Sequence, residues 1–378
     1  MRFLHTADWH AGKPLQGRSR LDEHEAALAD IAGIARRENA DFVLVAGDLF
    51  DSASPSPEAE RIVFHGLLAL ADVAPVVVVP GNHDNERRLS ALAPLFDLAR
   101  VTVRSSVRRD SVVIETKAGE TARIACIPWL SQRYIVKAAQ LMEEDAAETR
   151  GHYEERMQLI VDAVTEAFEK SSVNILMGHL TIAGAEHGGG ERTAQTIFDY
   201  WVNSTIFPTS AHYVALGHLH KPQRMAAGVP VHYPGSPLQL DFGDAPGPRS
   251  VLMVEASPSA PAKIEPVALT SGRALRTIRG KLEELRALSG TTGDDFLRVI
   301  VEEKASVGLG DEVRELFPDA VKVIVESGDK TEGRSPGAHQ QSLSPGELFR
   351  AYLSERDVAD ERLVKLFDEL HEEIHASH

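Results

Sequence analysis

The sequence predicts an α/β protein built on a two-sheet β-sandwich flanked by helices, followed by a small α+β unit and two C-terminal helices. Three observations lead to this prediction. Apolar strand-like runs alternate with amphipathic helical stretches over residues 1–255, which is typical of α/β layers. Some of the runs are uninterrupted, as expected for strands covered on both faces. Residues of metal-ligand type directly follow several of the runs, at what would be one rim of a sheet.

Local patterns place the elements of the first part. Phe42–Ala46 and Val76–Val79 are uninterrupted apolar runs and are predicted to be buried strands. A helix is predicted at Pro57–Ala71, because Ser56 suits the N-cap and Pro57 suits the first helical position. Further helices are predicted at Leu21–Arg37 and 152–170, and further strands at 101–104, 111–115, 123–127, 174–177, 213–216, Val231–Tyr233 and 251–254.

The second part of the chain is predicted to hold two further units. Ser, Pro and Ala dominate residues 256–262, which predicts a domain boundary or an exposed connection there. The next predicted elements are strand 275–278, helix 281–288, strand Phe296–Val301, helix 311–316 and strand 321–325. A polar linker is predicted at 327–341, and short helices with apolar stripes at 345–355 and 360–374. We therefore expect domains at 1–255, 263–328 and 342–378, with the last helices packed on the body or on a partner, since they bury little alone.

Composition and charge limit the class of protein. With 378 residues, 43% of them hydrophobic, the chain is typical of a globular protein of two or three units. Cys126 is the only cysteine, which rules out an internal disulfide and fits a reducing cytoplasm. We expect neither a signal peptide nor a membrane span, because the strongest apolar run, Val76–Val79, lies between prolines and is too short. A net charge of −16 argues against tight non-specific DNA binding by this chain alone, so a partner or a local basic surface would be needed.

Seven residues of metal-ligand type lie in five short blocks, each at the end of an apolar run. They are Asp8 and His10, then Asp48, Asn82 and His179, then His218 and His220. Each block alone is weak evidence, but all five in this order predict a shared site. Carboxylate, amide and imidazole donors suit a pair of divalent metals about 3.5–4 Å apart that act on a phosphoester. His83 stands beside a ligand and titrates in a useful range, so it is predicted to be the general acid.

At these blocks the chain resembles the calcineurin-like metallophosphoesterases, whose pattern is D-x-H, GD-x-x-[DH], GNH-[DE], GH and GH-x-H. Residues 6–13, 213–223 and 233–243 are also similar to the bacterial SbcD-type nuclease subunits, which are related to the Mre-type nucleases. The resemblance is strong over residues 1–255 and looser beyond them. It implies the metallophosphoesterase fold, a small capping domain at 263–328 and a terminal helical pair at 342–378.

The resemblance also implies roles for the site residues. One metal would be held by Asp8, His10, Asp48 and His220, and the second by Asp48, Asn82, His179 and His218. The preferred ion would be manganese, and His83 would protonate the leaving 3′ oxygen of a DNA strand. Relatives from archaea and eukaryotes carry His where this chain has Asp51. If that position orients the phosphate or His83, Asp51 could do so only as an acceptor; the alternative is that it bonds the loop backbone.

The implied function is that of a nuclease subunit in DNA repair, recombination and replication. It would act on double-stranded DNA ends as an ATP-dependent 3′–5′ exonuclease and on single strands and hairpins as an endonuclease. An SbcC-like coiled-coil ATPase would bind the terminal helices, and helices of the nuclease domain would form a homodimer, in the cytoplasm and associated with the nucleoid. Basic residues near the predicted rim could contact DNA, although any one of them is more simply a solvated charge: Lys13, Arg18, Arg20, Arg87, Arg88, Arg192 and Lys221.

Two other functions remain open from the sequence. One is a stand-alone phosphodiesterase or phosphatase with a small substrate, and the other is an architectural subunit that tethers DNA ends. The metal-ligand blocks do not separate these from the nuclease. The residues after Ala256 favour the nuclease, because an enzyme for a small substrate has no need of them.

Overall fold

A computed structural model of the chain describes residues 1–130, 146–188, 201–244 and 246–326, with the side chains of 146–152 left out. Residues 1–191 and 200–326 form one compact unit, and a second unit comprises residues 192–199 and 327–378. The second unit lies outside the described residues, and so do the predicted linker at 327–341 and the predicted helices at 345–355 and 360–374.

The described residues form the following elements in chain order. The strands are β1 (Arg2–Thr6), β2 (Phe42–Ala46), β3 (Val76–Val79), β4 (Val101–Val103), β5 (Val112–Glu115), β6 (Thr121–Ile127), β7 (Val173–His179), β8 (Thr181–Ile182), β9 (Trp201–Val202), β10 (Tyr213–Gly217), β11 (Gln223–Met225), β12 (Val231–Tyr233), β13 (Ser250–Ser257), β14 (Ala260–Ala268), β15 (Leu275–Gly280), β16 (Phe296–Val301) and β17 (Ala320–Val325). The α-helices are α1 (Leu21–Arg37), α2 (Pro57–Ala71), α3 (Glu86–Leu98), α4 (Ala146–Thr165), α5 (Leu282–Leu288) and α6 (Leu309–Leu316).

Two six-stranded sheets form the sandwich. The first has the order β14-β13-β1-β2-β3-β4, with β1 to β4 parallel, and the second has the order β11-β12-β10-β7-β6-β5, with β6, β7, β10 and β12 parallel. Apolar side chains such as Phe3, Leu44 and Ile175 fill the space between the sheets. Helices α1 to α3 cover the outer face of the first sheet and α4 covers that of the second. The predicted two-sheet sandwich flanked by helices is confirmed.

Local chemistry explains most of these elements. Every residue of β2 and β3 is buried, because each strand is covered on both faces, and this is why the two runs lack polar alternation. The Ser56 hydroxyl accepts a hydrogen bond from the Ala59 N–H at 3.2 Å, so α2 begins where its cap and its proline predict. Helices α1 and α2 have the predicted bounds.

Three expectations differ from the structure. Helix α3 is absent from the predictions, since Pro94 lies inside it and its N-terminal half is polar. Helix α4 begins and ends earlier than the predicted 152–170. Residues 256–262 are not a domain boundary but the predicted alternative, an exposed connection: they comprise the end of β13, a two-residue turn and the start of β14, with Ser257 paired with Ala260, and the chain leaves the first sheet only after β14.

The small unit contains the predicted strand-helix-strand-helix-strand order. β15, β16 and β17 form a parallel sheet, and α5 and α6 pack on one of its faces through residues such as Leu285 and Val313. Leu275 and Phe296 pack against Leu15 of the sandwich. Among the described residues, no helix is both long and apolar enough to cross a membrane.

Candidate metal centre

The predicted site residues meet where the carboxyl ends of the parallel strands in both sheets face each other. Asp8 and His10 follow β1, Asp48 follows β2, and Asn82 follows β3. His179 is the last residue of β7, and His218 and His220 follow β10. Parallel strands end at a common edge, and the sandwich brings two such edges together. Six of the seven predicted ligands are buried, and the seventh, Asn82, is half-buried.

Several ligands occupy strained backbone conformations. Asp8, His10, Asp48 and His218 have φ angles of 55°, 46°, 52° and 107°, in the region that favours glycine. Such conformations cost about 1–3 kcal/mol each and persist only where the surroundings fix them. Here the N–H groups of Asp8 and His10 donate to the carbonyls of Gly47 and Asp48, each at 3.0 Å. Backbone hydrogen bonds between the loops after β1 and β2 therefore stabilise the strained conformations of both loops.

The glycines that precede the ligands are required by close approach. A Cβ atom at Gly81 would lie 2.1 Å from Asp48 Oδ1, and one at Gly217 would lie 1.8 Å from the Ala46 carbonyl oxygen. Neither position has room for a side chain, since one contact is with a predicted ligand and the other is with backbone. The repeated glycine-ligand pattern in the sequence thus reflects how tightly the two sheet edges meet.

Four predicted ligands of the second metal converge on one point. His179 Nδ1 donates to the Ala46 carbonyl at 2.8 Å, which leaves Nε2 to face the site. That Nε2 lies 3.0 Å from Asn82 Oδ1 and 3.5 Å from Asp48 Oδ2. His218 Nδ1 lies 2.9 Å from the same Asn82 oxygen. The hydrogen of a neutral His179 ring lies on Nδ1, so Nε2 and the Asp48 carboxylate are both acceptors, and a proton or a metal cation is needed between them.

The predicted ligands of the first metal show the same crowding. His10 Nε2 lies 3.4 Å from Asp48 Oδ2 and 3.0 Å from His220 Nε2. Asp8 Oδ1 accepts the His218 backbone N–H at 2.8 Å, whereas the buried Oδ2 has no hydrogen-bond partner among the described residues. Two facing imidazole nitrogens beside two carboxylates are the donor set of a divalent metal site. The residues therefore fit a pair of ions that share Asp48.

The buried carboxylates and imidazoles shift one another's pKa values. Burial alone would raise the pKa of Asp48, but the neighbouring His179, His10 and His83 outweigh it and hold the pKa well below its usual range. Burial, reinforced by the charge of Asp48, raises the pKa of Asp8 to about 7. Burial would lower the pKa of His179, but the charge and hydrogen bond of Asp48 raise it to about 9. Metal ions bound here would displace these protons, so binding is expected to release them.

His83 lies beside the first metal position. Its backbone N–H donates to Asp48 Oδ1 at 2.8 Å, and its ring meets that of His10 edge to face, with centroids 4.7 Å apart. Its Nδ1 donates to the Asp51 carbonyl at 2.8 Å, so Nε2 is the nitrogen that would act on a substrate or an ion. Two groups of potential ligand atoms within 4.8 Å of one another occur among the described residues, His10-Asp48-His83 and Asp48-His179-His218. The geometry thus permits His83 to act as an acid or as a ligand.

Two residues of this centre are absent from the sequence predictions. Asp84 accepts the backbone N–H groups of Leu49 at 3.2 Å, Phe50 at 3.0 Å and Gly81 at 2.8 Å, so it ties the loop after β2 to the loop after β3. Burial, with the charge of Asp48, raises its pKa to about 6. Trp129 follows β6 and packs on His218. Its position after a parallel strand was the signal that could have identified it.

The basic residues predicted near the rim have varied surroundings. Arg20 is not a surface contact: it is buried, and its guanidinium bonds both carboxylate oxygens of Glu23 at 2.8 and 3.0 Å. That prediction is wrong. Lys13 pairs with Asp51, and the remaining pairs are Arg88 with Glu60 and Lys221 with Glu186. Arg18 donates to the Pro318 carbonyl and Arg87 is exposed, while Arg192 lies outside the described residues.

Comparison with known proteins gives consistent matches. Residues 1–222 match the calcineurin-like phosphoesterase family, and residues 271–357 match the SbcD_C family, described as the type 5 capsule protein repressor C-terminal domain. The SbcD subunit of the SbcCD nuclease from Bacillus subtilis is 32% identical over 385 residues, which cover 98% of this chain and 97% of that protein. The corresponding SbcCD nuclease subunit from Rhodobacter capsulatus is 34% identical over 277 residues, 69% of this chain and 67% of that protein. A solved dimetal phosphatase from Danio rerio covers 68% of this chain and 93% of its own, with 14% identity and a TM-score of 0.42.

Proposed function

The chain belongs to the calcineurin-like phosphoesterase family and, within it, to the SbcD nuclease subunits, and from this premise we propose that it is a manganese-dependent DNA nuclease. The membership supports a hydrolase with divalent metals. The proposal adds the ion, the roles of the residues and the substrate: double-stranded DNA ends, degraded 3′–5′ in an ATP-dependent manner, and single strands and hairpins, cut internally.

The observation that carries the proposal is the convergence of the seven predicted ligands on one buried point. His10 and His220 of the first group and Asn82, His179 and His218 of the second lie, with Asp48, so that nitrogen and oxygen atoms of neighbouring side chains are 2.9–3.5 Å apart. The hydrogen of neutral His179 lies on Nδ1, so its Nε2 and the Asp48 carboxylate need a proton or a cation between them. Asp48 belongs to both groups, as a bridging carboxylate would.

In this proposal, different residues of the chain perform different parts of the reaction. Two divalent cations, when bound, activate water and offset the charge that develops on the phosphoryl oxygens. When its ring is protonated on both nitrogens, His83 gives the Nε2 proton to the leaving 3′ oxygen and keeps the Nδ1 proton, which is bonded to the Asp51 carbonyl. The N–H of His83 bonded to Asp48 holds the acid beside the bridging carboxylate. Asp84 keeps the two ligand loops together while this occurs.

The proposal includes a partner and a dimer. The relatives are named as subunits of an SbcCD nuclease. We propose that this chain binds an SbcC-like coiled-coil ATPase through residues 342–378 and dimerises through helices of the domain predicted at 1–255. It also carries the capping domain predicted at 263–328, of which residues 263–268 belong to β14 of the sandwich. A protein of this kind would act in the cytoplasm, associated with the nucleoid. The partner would also supply the positive surface that the net charge of −16 lacks.

The first experiment compares cleavage of end-labelled linear duplex DNA by wild type and His83→Ala with manganese. We expect wild type alone to degrade DNA, while both proteins retain about two manganese ions per chain by elemental analysis. The matched control is His65→Ala, since His65 is an exposed histidine of α2 and its loss should leave cleavage intact. Loss of manganese from His83→Ala would make His83 a ligand rather than the acid.

A chromogenic phosphodiester, tested on the same samples, addresses the alternative of a small-substrate enzyme. Turnover of this ester without DNA cleavage, even after the ATPase partner is added, would overturn the nuclease proposal. DNA cleavage that appears only with the partner and ATP would support it. An architectural subunit would bind DNA ends in the complex and cleave neither substrate.

A further inference from the structure

Asp51 contacts two histidines of the metal centre through two different groups. Its backbone carbonyl accepts the Nδ1 hydrogen of His83 at 2.8 Å, and its carboxylate Oδ1 lies 3.6 Å from Nδ1 of His10. We propose that the Asp51 carboxylate is a positioning residue for the metal ligand His10, whereas the Asp51 backbone carbonyl is the group that bonds His83 Nδ1. This inference rests on the proposed metal centre and extends it to a residue whose role the sequence left open.

The two nitrogens of His10 face different surroundings. Nε2 faces Asp48 Oδ2 at 3.4 Å and His220 Nε2 at 3.0 Å, so Nε2 is the atom that would bind a metal. A neutral imidazole that binds through Nε2 carries its hydrogen on Nδ1. That Nδ1 is buried and makes no hydrogen bond within the described part of the chain. A ligand histidine normally directs its second N–H at a carboxylate or a carbonyl, and the Asp51 carboxylate is placed for this role.

The Asp51 carboxylate is itself held in place. Lys13 Nζ lies 3.2 Å from Asp51 Oδ1, and the Lys13 backbone N–H donates to the His10 carbonyl at 3.0 Å. The Asp51 N–H donates to the Ala11 carbonyl at 3.2 Å. Backbone hydrogen bonds therefore join the segment that carries His10 to the segment that carries Asp51. The Lys13 ammonium adds an ion pair with the Asp51 carboxylate.

A substitution at Asp51 removes the side-chain carboxylate and keeps the backbone carbonyl, so the roles of the two groups can be separated by mutation. Every amino acid supplies the carbonyl that orients His83, so a substitution at Asp51 should leave the acid in place. The substitution removes the acceptor for His10 Nδ1 and the anion that pairs with Lys13. Its effect should therefore fall on the metal site of His10 and not on the site of His179 and His218.

The experiment measures manganese binding to the full-length chain by equilibrium dialysis, without any substrate. We expect Asp51→Ala to weaken one of two sites about 10–100-fold and Asp51→Asn, which keeps an acceptor oxygen, to weaken it less. Lys13→Met should weaken manganese binding at the same site, but by less than Asp51→Asn does. Asp72→Ala is the matched control, because Asp72 is an exposed carboxylate at the end of α2, and both sites should keep their affinity.

The second site is read from the part of the manganese-induced fluorescence change that is lost in Trp129→Phe, since the indole of Trp129 contacts the His218 ring. The manganese concentration at half-change should be the same in wild type and in Asp51→Ala. Unchanged binding at both sites, or equal weakening of both, would overturn the inference. If Asp51→Ala fails to fold by circular dichroism, Asp51→Asn is judged by the same criteria. A wild-type chain that binds fewer than two manganese ions would instead refute the proposed metal centre, and with it the proposed function.

Discussion

The indole of Trp129 lies nearly parallel to the imidazole of His218, with ring centroids 5.2 Å apart and planes inclined by 26°. The same indole meets the ring of His179 edge to face at 6.0 Å. Its backbone N–H donates to the Pro80 carbonyl at 3.0 Å, which ties Trp129 to the loop that carries Asn82. The aromatic ring thus lies beside two proposed ligands of one metal, His179 and His218.

This contact predicts a spectroscopic signal for the second metal site. Manganese is paramagnetic and would lie close to the Trp129 ring, so its addition should quench tryptophan fluorescence in the wild-type chain. Trp129→Phe should remove most of the quenching and still bind about two ions per chain. Titration of the fluorescence with manganese, beside elemental analysis, checks both statements.

Trp201→Phe is the matched control for that titration. Trp201 lies in the short strand β9 and is 37% exposed. Within the described part of the chain, the tryptophan that contacts His179 and His218 is Trp129 and not Trp201. This variant should be quenched like the wild type. Equal quenching in wild type and Trp129→Phe would show that the second ion does not bind beside His218.

The sequence was sufficient to predict which side chains meet at the sheet edges, because these residues directly follow the strands. Asp48 and His218 each follow a glycine and an apolar run, and parallel strands carry such residues to one edge wherever the sheet lies. Asp84 could not be assigned a role in the same way, because its partners include Leu49, 35 residues away in the chain. Arg20 was misassigned for a similar reason, since burial against the small unit is not visible in its neighbours along the chain.

Close approach of the two sheet edges predicts that Gly217→Ala is strongly destabilising. The new Cβ would lie 1.8 Å from the Ala46 carbonyl oxygen and 3.0 Å from Ala7 Cβ, so the backbone of one sheet must move. We expect a loss of more than about 3 kcal/mol in the free energy of unfolding, above the usual cost of overpacking. Urea unfolding followed by circular dichroism measures this loss.

Gly33→Ala provides the contrast within the same chain. Gly33 lies within α1, and a Cβ there meets nothing within 4 Å. Alanine should stabilise this helix by about 0.5–1 kcal/mol, because it restricts the unfolded chain more than glycine does. If both variants had similar stability, the sheet edges would have to be looser than the structure shows.

The proposed partner site predicts the effect of a deletion. Removal of residues 342–378 should leave the cooperative unfolding and the manganese content of the remaining chain unchanged, since all proposed ligands precede residue 221. It should abolish co-purification with an SbcC-like ATPase expressed in the same cells. A complex that survives the deletion would place the partner site elsewhere in the chain.

The Glu23 carboxylate, paired with the buried Arg20, links the sandwich to the small unit. The side chains of Arg20 and Glu23 are 2% and 15% exposed, and Glu23 Oε1 also accepts the Arg273 backbone N–H at 2.8 Å. Arg20 and Arg273 both lie over the Phe296 ring, at 5.7 and 3.8 Å from its centroid. One carboxylate therefore joins α1 to the start of the small unit.

Glu23→Gln should be costly, because it leaves the Arg20 charge buried without an anion. Removal of one partner of a buried pair costs about 3–5 kcal/mol, so we expect a loss near the lower end, as glutamine keeps one acceptor oxygen. The control is Glu25→Gln, since Glu25 and Arg61 form an exposed pair with side chains 48% and 49% accessible, and such pairs contribute less than about 1 kcal/mol. Urea unfolding of the two variants compares them directly. Equal losses would mean that Arg20 reaches water, and the small unit would then be held by its apolar contacts instead.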